Sequence, residues 1–273
     1  MIRWSANVGT LYSELPVADR FAAAVRSGFQ FVEMWCPFPK EAAVAAAVRS
    51  SGARLAGFLY EPGGTHGPGE MAPGQRGILN GTVTLDECLE FFRRSVSFAK
   101  TTSATHVAVL LGNADEDRQR ALAFAAAALR RACEVTQPAG LMIMVEPLNS
   151  FDTPSYMVHD AEEAAEFVRS LRRPGVRLLL DVYHVAREGA DPVAVIPRVR
   201  DVIGHVQVAD CPGRGAPGTG RLDMHGVVRT LEDVGYDGFI GIEYLPGNRT
   251  TDESLTWLPE KLRAVPVEAG MFQ

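Results

Sequence analysis

The strongest constraint on how this chain can fold is an alternation. Short, nearly all-apolar runs are separated by longer Ala-, Arg- and Glu-rich runs of helical period, and the pair recurs eight times. The apolar runs are Ile2–Val8, Phe29–Trp35, Arg54–Leu59, His106–Leu111, Leu141–Glu146, Val176–Asp181, Gly204–Asp210 and Phe239–Glu243. The helical runs fall near Val17–Ser27, Lys40–Ser51, Leu85–Thr102, Glu116–Gln137, Asp160–Leu171, Pro192–Asp201, Met224–Val234 and Asp252–Ala264. A run such as Val176-Arg-Leu-Leu-Leu-Asp181 has no polar alternate face. It therefore reads as a strand covered on both sides, as in a parallel sheet flanked by helices. Gly28, Gly52, Gly140 and Gly235 each close a helical run just before a strand. That is where a helix commonly ends on a left-handed residue.

Alternating units of this kind leave two architectures, a closed barrel or an open doubly wound sheet. Eight units in 273 residues favour an α/β fold of the (β/α)8 TIM-barrel type, a single domain over residues 1–273. The G-x-G-x-x-G fingerprint of dinucleotide folds is missing after the first strand, which reads Asn7-Val-Gly-Thr. Gly213-Arg-Gly-Ala-Pro-Gly218 matches it only superficially, because it follows the seventh strand, contains a proline and opens no helix. Residues 60–84 form the longest stretch without clear period and are rich in Gly and Pro. Such a stretch is expected to be either a lid over the site or a tolerated surface insertion.

Composition narrows the function classes. Lys and Arg number 27 and Asp and Glu 33, a net charge of −6. A nucleic-acid binder or a protein of anionic membranes would carry a basic face, so neither partner is expected. No run approaches the roughly 18 apolar residues of a spanning helix. The opening MIRWSANVGTLYSELP has neither the basic start nor the long apolar stretch of a secretory signal. Cys36, Cys88, Cys133 and Cys211 form no C-x-x-C pair, which argues against zinc knuckles and dithiol redox sites. The expected setting is the cytoplasm.

In a β/α barrel the chemistry lies at the C-terminal ends of the strands. The fifth run ends in Glu146, the sixth in Asp181, the seventh carries Gln207 and the eighth ends in Glu243. Three carboxylates converging in space repel one another, and burying one without compensation is costly. A divalent cation resolves this, and oxygen donors select Mg²⁺ or Mn²⁺. Glu146, Asp181, Gln207 and Glu243 are thus the expected metal ligands. His184, three residues past Asp181, is placed to lean over the same site and bind substrate. Arg214, in the glycine-rich turn Cys211-Pro-Gly-Arg-Gly, suits an anionic or polyhydroxylated substrate. Asp152, six residues after Glu146, can reach a substrate hydroxyl or cap the next helix. Asn7 and Glu33 are expected along the cavity. His106 opens its strand and is expected at the opposite, structural end. The Met34–Phe38 stretch reads as core, cavity wall or an interface, so a homo-oligomer stays open.

These residues resemble a known family. Glu146-Pro-Leu-Asn149 with Asp152 and Tyr156, Asp181-Val-Tyr-His184, Gly204-His-Val-Gln207-Val-Ala-Asp210, Pro217-Gly-Thr-Gly220 and Gly235-Tyr-Asp-Gly-Phe-Ile-Gly-Ile-Glu243-Tyr244 look like the hydroxypyruvate isomerases. These are xylose-isomerase-like TIM-barrel sugar isomerases. Ser5-Ala-Asn7 and Phe31-Val-Glu33 followed by Pro37-Phe38 are similar too. The resemblance implies metal-assisted isomerisation of a small hydroxy-carbonyl compound, hydroxypyruvate to 2-hydroxy-3-oxopropanoate, through an enediolate. It makes Glu146 and Glu243 the catalytic pair that moves the proton. The sequence departs from the family pattern at Ala216 and Arg221, where acids are usual. It departs also at Leu245, where lysine is usual, and at Leu59, where asparagine usually follows Phe58. These changes touch the substrate side and leave the metal and proton groups intact.

Three rivals are weighed against this reading. A ketose 3-epimerase or a four-carbon oxo-acid (2-oxo-tetronate) isomerase would use the same glutamates. A metal-dependent abasic-site endonuclease would need mostly histidine ligands and a basic DNA face, against six histidines and a charge of −6. A non-catalytic barrel serving as a binding module would bind no stoichiometric metal.

Overall fold

In the computed structural model, residues 1–60, 76–114 and 117–266 are described. The lid expectation for residues 60–84 falls mainly on residues 61–75, which lie outside the described residues. Eight parallel strands close on themselves in sequence order. They are β1 (Arg3–Asn7), β2 (Phe31–Met34), β3 (Arg54–Tyr60), β4 (His106–Val109), β5 (Met142–Val145), β6 (Val176–Asp181), β7 (Ile203–Val208) and β8 (Phe239–Ile242). The seam is closed by β1 against β8, with Arg3 opposite Phe239 and Ser5 opposite Gly241. The expected strands and closed barrel are both present.

Helices cover the outside: α1 (Val17–Arg26), α2 (Glu41–Ser51), α3 (Leu85–Thr102), α4 (Arg118–Thr136) and α5 (Ala161–Leu171) in the first half. Then come α6 (Val182–Arg187), α7 (Pro192–Val199), α8 (Met224–Asp233), α9 (Thr251–Ser254) and α10 (Glu260–Arg263). Their ends follow local chemistry. Thr84 and Glu87 form a reciprocal capping box at the start of α3. Asp160, Asp191 and Asp223 accept backbone N–H groups at the starts of α5, α7 and α8. Gly52, at φ +79°, ends α2 in the left-handed conformation that a Cβ disfavours.

Two features differ from the sequence expectation. The last helical run, Asp252–Ala264, is divided into α9, a 3₁₀ turn at Leu255–Trp257 and α10. Pro259 stands at the start of α10, where its missing N–H cannot continue the preceding helix. The second feature is α6, a short helix inserted directly after β6. Asp181 caps it by accepting the Tyr183 N–H at 2.9 Å. Apolar periodicity over six residues is too short to announce it.

Strand side chains alternate between the helical layer and the barrel interior. Trp4, Val32, Val107, Ile143, Leu178, Val206 and Ile240 belong to the continuous core of the protein. Ala108, Met144 and Leu179 form a separate small cluster of buried side chains. Met34 and Trp35 line a cavity, and Phe38 packs against Phe58, Tyr60 and Phe98 with ring centroids 4.9–6.4 Å apart. The Met34–Phe38 stretch is accordingly cavity wall and core. No helix among the described residues is long and apolar enough to cross a membrane.

Candidate active site

The cavity is about 340 Å³ and is lined at the strand ends by Asn7, Glu33, Glu146, Gln207 and Glu243, with His184, Asp152, Arg76 and Arg214 around them. Glu146 and Glu243 each follow directly on the last residue of a strand, β5 and β8. The Tyr156 hydroxyl fixes the first of these ends. It donates to the Glu146 carbonyl and accepts the Leu111 N–H, both at 2.8 Å.

The carboxyls are buried: Glu146 is 6% exposed, Asp181 1% and Glu243 4%. Burial raises the proton affinity of Glu146 well above the usual carboxylate range, and repulsion from Glu243 and Asp181 adds to it. Glu243 is pushed up to about 8, chiefly by burial and against the opposing pull of Arg214. Asp181 is raised for the same first reason. One Arg214 nitrogen lies 3.2 Å from Asp181 Oδ2 and 2.5 Å from Glu243 Oε1. Its guanidinium also stacks 5.0 Å over the Tyr183 ring. Asp210 builds the turn that delivers it by accepting the N–H groups of Cys211, Gly218 and Leu222.

His184 has a defined tautomer. Its Nδ1 faces the Asn149 backbone N–H at 3.1 Å and the Asn149 side-chain amide at 2.7 Å. Both are donors, so Nδ1 accepts and the ring proton sits on Nε2. Burial, with Arg214 and Arg76 adding to it, drives the imidazole well below its ordinary range, so it stays neutral. Its Nε2–H points toward Asp181 Oδ2 at 3.7 Å and Glu146 Oε1 at 3.9 Å. Glu146, Asp181 and His184 can bring ligand atoms within 4.8 Å of one another. With the proton held on Nε2, His184 is a donor beside the carboxylates, and the oxygen groups are the ones that could hold a metal ion.

The remaining donor comes from Gln207. Its amide nitrogen bonds Glu33 Oε1 at 2.7 Å and Glu243 Oε2 at 2.6 Å. Its Oε1 is buried without a hydrogen-bond partner. A buried amide oxygen in that condition is costly unless something positive meets it. The Arg214 guanidinium pairs with Asp181 and Glu243, and no hydrogen bond joins it to this oxygen. The donor set therefore fits a hard divalent cation.

The family model for the xylose isomerase-like TIM barrel matches residues 21–261. The chain belongs to the xylose isomerase-like TIM barrel family. Among its relatives is a Streptomyces coelicolor protein whose name assigns it provisionally to hydroxypyruvate isomerase. It is 33% identical, over 96% of this chain and 97% of its own. The 2-oxo-tetronate isomerase of Cupriavidus necator is 29% identical over 94% and 98%. A solved structure from Brucella melitensis, titled an AP endonuclease of family 2, superposes with a TM-score of 0.86. It is 28% identical over 94% of this chain and 98% of its own.

In this xylose isomerase-like barrel Glu146, Gln207, Glu243, Asn7 and Glu33 line one cavity, and Asp181 brings an oxygen within 4.8 Å of Glu146 and His184 without lining it. Asp152 lines the cavity too, but its carboxylate is engaged. Its Oδ2 accepts from Asn149 Nδ2 at 2.9 Å and from the Tyr183 hydroxyl at 2.8 Å, while Asp160 caps the following helix. His106 departs from expectation. It lines the cavity and packs on His205 with centroids 4.5 Å apart. Barrel strands are staggered, so the first residue of β4 lies level with Gly57, the fourth residue of β3. Gly57 makes room, since a Cβ there would stand 2.0 Å from the imidazole. Burial lowers His106 to about 3, so it is a neutral wall group. Sequence reading also passed over Arg76 and His205. Arg76 stands outside any periodic run, and its only signal was a charge beside Gly77. The inward phase of His205, two residues before Gln207, was readable from strand alternation.

Proposed function

We propose that the protein is an isomerase interconverting hydroxypyruvate and 2-hydroxy-3-oxopropanoate. Glu146 and Glu243 are the proton-transferring pair. A divalent cation, Mg²⁺ or Mn²⁺, is held by Glu146, Asp181, Gln207 and Glu243. The observation that carries the reading is the pair itself: two buried carboxyls of raised proton affinity, on strands five and eight, face one small cavity beside an unpartnered amide oxygen.

A cation bound there supplies fixed positive charge where negative charge develops on the substrate oxygens. One glutamate takes a proton from the hydroxylated carbon, C3, leaving an enediolate. A proton then returns to C2 from that glutamate or its partner, while the hydroxyl proton passes from the C3 oxygen to the C2 oxygen. A carboxyl buried at a strand end and facing the cavity is suited to this as general base and then general acid. The Nε2–H of His184 is a donor for a substrate oxygen. Asp152 and Asn149 hold the Tyr183–His184 segment in place. Arg76 and Arg214 give the cavity the positive charge that a substrate carboxylate needs. The scene of this chemistry is a single cytoplasmic domain acting in carbohydrate metabolism.

The main alternative keeps the glutamates and changes the substrate to a four-carbon 2-oxo acid. The Cupriavidus relative favours it. The endonuclease reading fits less well, because the donors here are chiefly carboxylates and the chain is acidic. The test is turnover followed by proton NMR in D₂O, with and without chelator, on hydroxypyruvate, a 2-oxo-tetronate and D-fructose. We expect chelator-sensitive turnover, with deuterium exchange at C3 of hydroxypyruvate and deuterium entering at C2 of 2-hydroxy-3-oxopropanoate. Turnover of D-fructose alone would replace this reading with an epimerase.

A further inference from the structure

Glu33 is buried near the end of β2 and is not a ligand in the set above, yet four side chains hold it. Its Oε2 accepts the Ser5 hydroxyl at 2.6 Å and lies 2.9 Å from His205 Nε2. Its Oε1 accepts Gln207 Nε2 at 2.7 Å and Asn7 Nδ2 at 3.2 Å. Gly241 makes the space, because a Cβ there would meet Oε1 at 2.3 Å and Oε2 at 2.5 Å.

The two amides around Glu33 differ in one respect. Asn7 is oriented from both ends, since its Oδ1 accepts the Gly9 N–H at 2.8 Å. Gln207 is oriented from one end only, because its Oε1 has no partner. An amide can rotate by half a turn with almost no change in shape, exchanging its oxygen for an NH₂ group. What forbids this in Gln207 is its nitrogen lying between two acceptors, Glu33 and Glu243. Glu243 is itself a proposed ligand, so its charge is shared with the cation. Glu33, outside the ligand set, is the other acceptor that holds the amide.

We propose that Glu33 is a positioning residue that keeps the Gln207 oxygen facing the metal site and thereby sets metal affinity. This rests on the reading of Gln207 as a ligand. Removal of such an outer hydrogen-bond partner typically costs about 10- to 100-fold in metal affinity.

The experiment is Mn²⁺ titration of the full chain by calorimetry and by EPR of free Mn²⁺, with circular dichroism and thermal melting as checks of folding. Glu33→Gln is expected to weaken Mn²⁺ binding by about 10- to 100-fold. Glu33→Asp keeps the charge but withdraws the acceptor from Gln207, and is a second variant expected to show the same loss. The swap Glu33→Gln with Gln207→Glu returns a carboxylate and an amide to the same contact. Because a carboxylate presents oxygen in either orientation, the swap should recover most of the lost affinity. Folded single variants that bind Mn²⁺ like the wild type, or a folded swap with no recovery, would overturn the proposal. Wild-type protein that binds Mn²⁺ stoichiometrically without isomerising hydroxypyruvate would sink the substrate reading and leave the role of Glu33 standing. Wild-type protein that binds no Mn²⁺ would end both.

Discussion

The two walls of the cavity are built on opposite rules. Strands β5 to β8, with β1 and β2, present Glu146, Gln207, Glu243, Asn7 and Glu33, with Asp181 beside Glu146. Strands β3 and β4 present Gly57, Leu59, Ala108 and Leu110, with the neutral His106 beneath. On the charged wall each group is held by another, so a change at one alters the protonation or orientation of its neighbours. On the apolar wall the side chains supply shape alone, so a change there alters fit and leaves the chemistry in place. A barrel can therefore keep one reaction and vary its substrate by editing the second wall.

The sharpest way to break this contrast is on the charged wall. Glu243→Gln should lower kcat on hydroxypyruvate by about 10²- to 10⁴-fold, the usual weight of a general acid–base group. Its melting temperature should stay near that of the wild type. Turnover by that variant at the normal rate would remove Glu243 from the pair. Chelation comes next. Turnover should vanish and return with Mg²⁺ or Mn²⁺, and metal at 100 times its Kd should stabilise the fold by about 2.7 kcal/mol in a thermal-shift assay. Protons compete for the same carboxyls, so metal affinity by calorimetry should be weaker at pH 6 than at pH 8.

Arg76→Gln tests the cationic edge between the walls. Loss of a hydrogen bond to a charged group is worth about 1.5–3 kcal/mol, or roughly 10- to 100-fold in KM for hydroxypyruvate. An uncharged hydroxy-ketone should show no comparable change in steady-state kinetics. The smallest effect belongs to the apolar wall. Leu59→Asn should leave kcat on hydroxypyruvate within a few-fold and shift the ratio of kcat/KM values by about 1 kcal/mol toward a four-carbon oxo acid. A collapse of turnover comparable to Glu243→Gln would show that the walls are not separable.

Most of the barrel was legible because its signal is local. Eight apolar runs and eight helical runs specify eight units, and a carboxylate at a strand end is placed by the strand itself. Glu146, Asp181, Gln207 and Glu243 could be gathered on one rim without knowing any distance. What escaped depends on relations between strands. His106 opens β4, but the stagger of the barrel lifts it to the cavity, and Gly57 on another strand clears its path. Asn149 sets the tautomer of His184 from 35 positions away, and no spacing rule records that contact. The helix α6 is too short to carry a period, and its start is written in the cap that Asp181 supplies. Asp152 was readable as a polar loop residue, but its engagement with Tyr183 needed the folded loop.

Asp181 divides its labour between its two oxygens: Oδ1 begins α6, and Oδ2 faces the carboxyl cage. A genetic lesion at this codon would therefore confound two phenotypes, a lost ligand and a frayed helix carrying His184. An alanine scan would rank residue 181 among the most sensitive sites without saying which duty had failed. Codon 207 has no second duty in a helix cap, which makes it the cleaner place to dissect ligation by mutation.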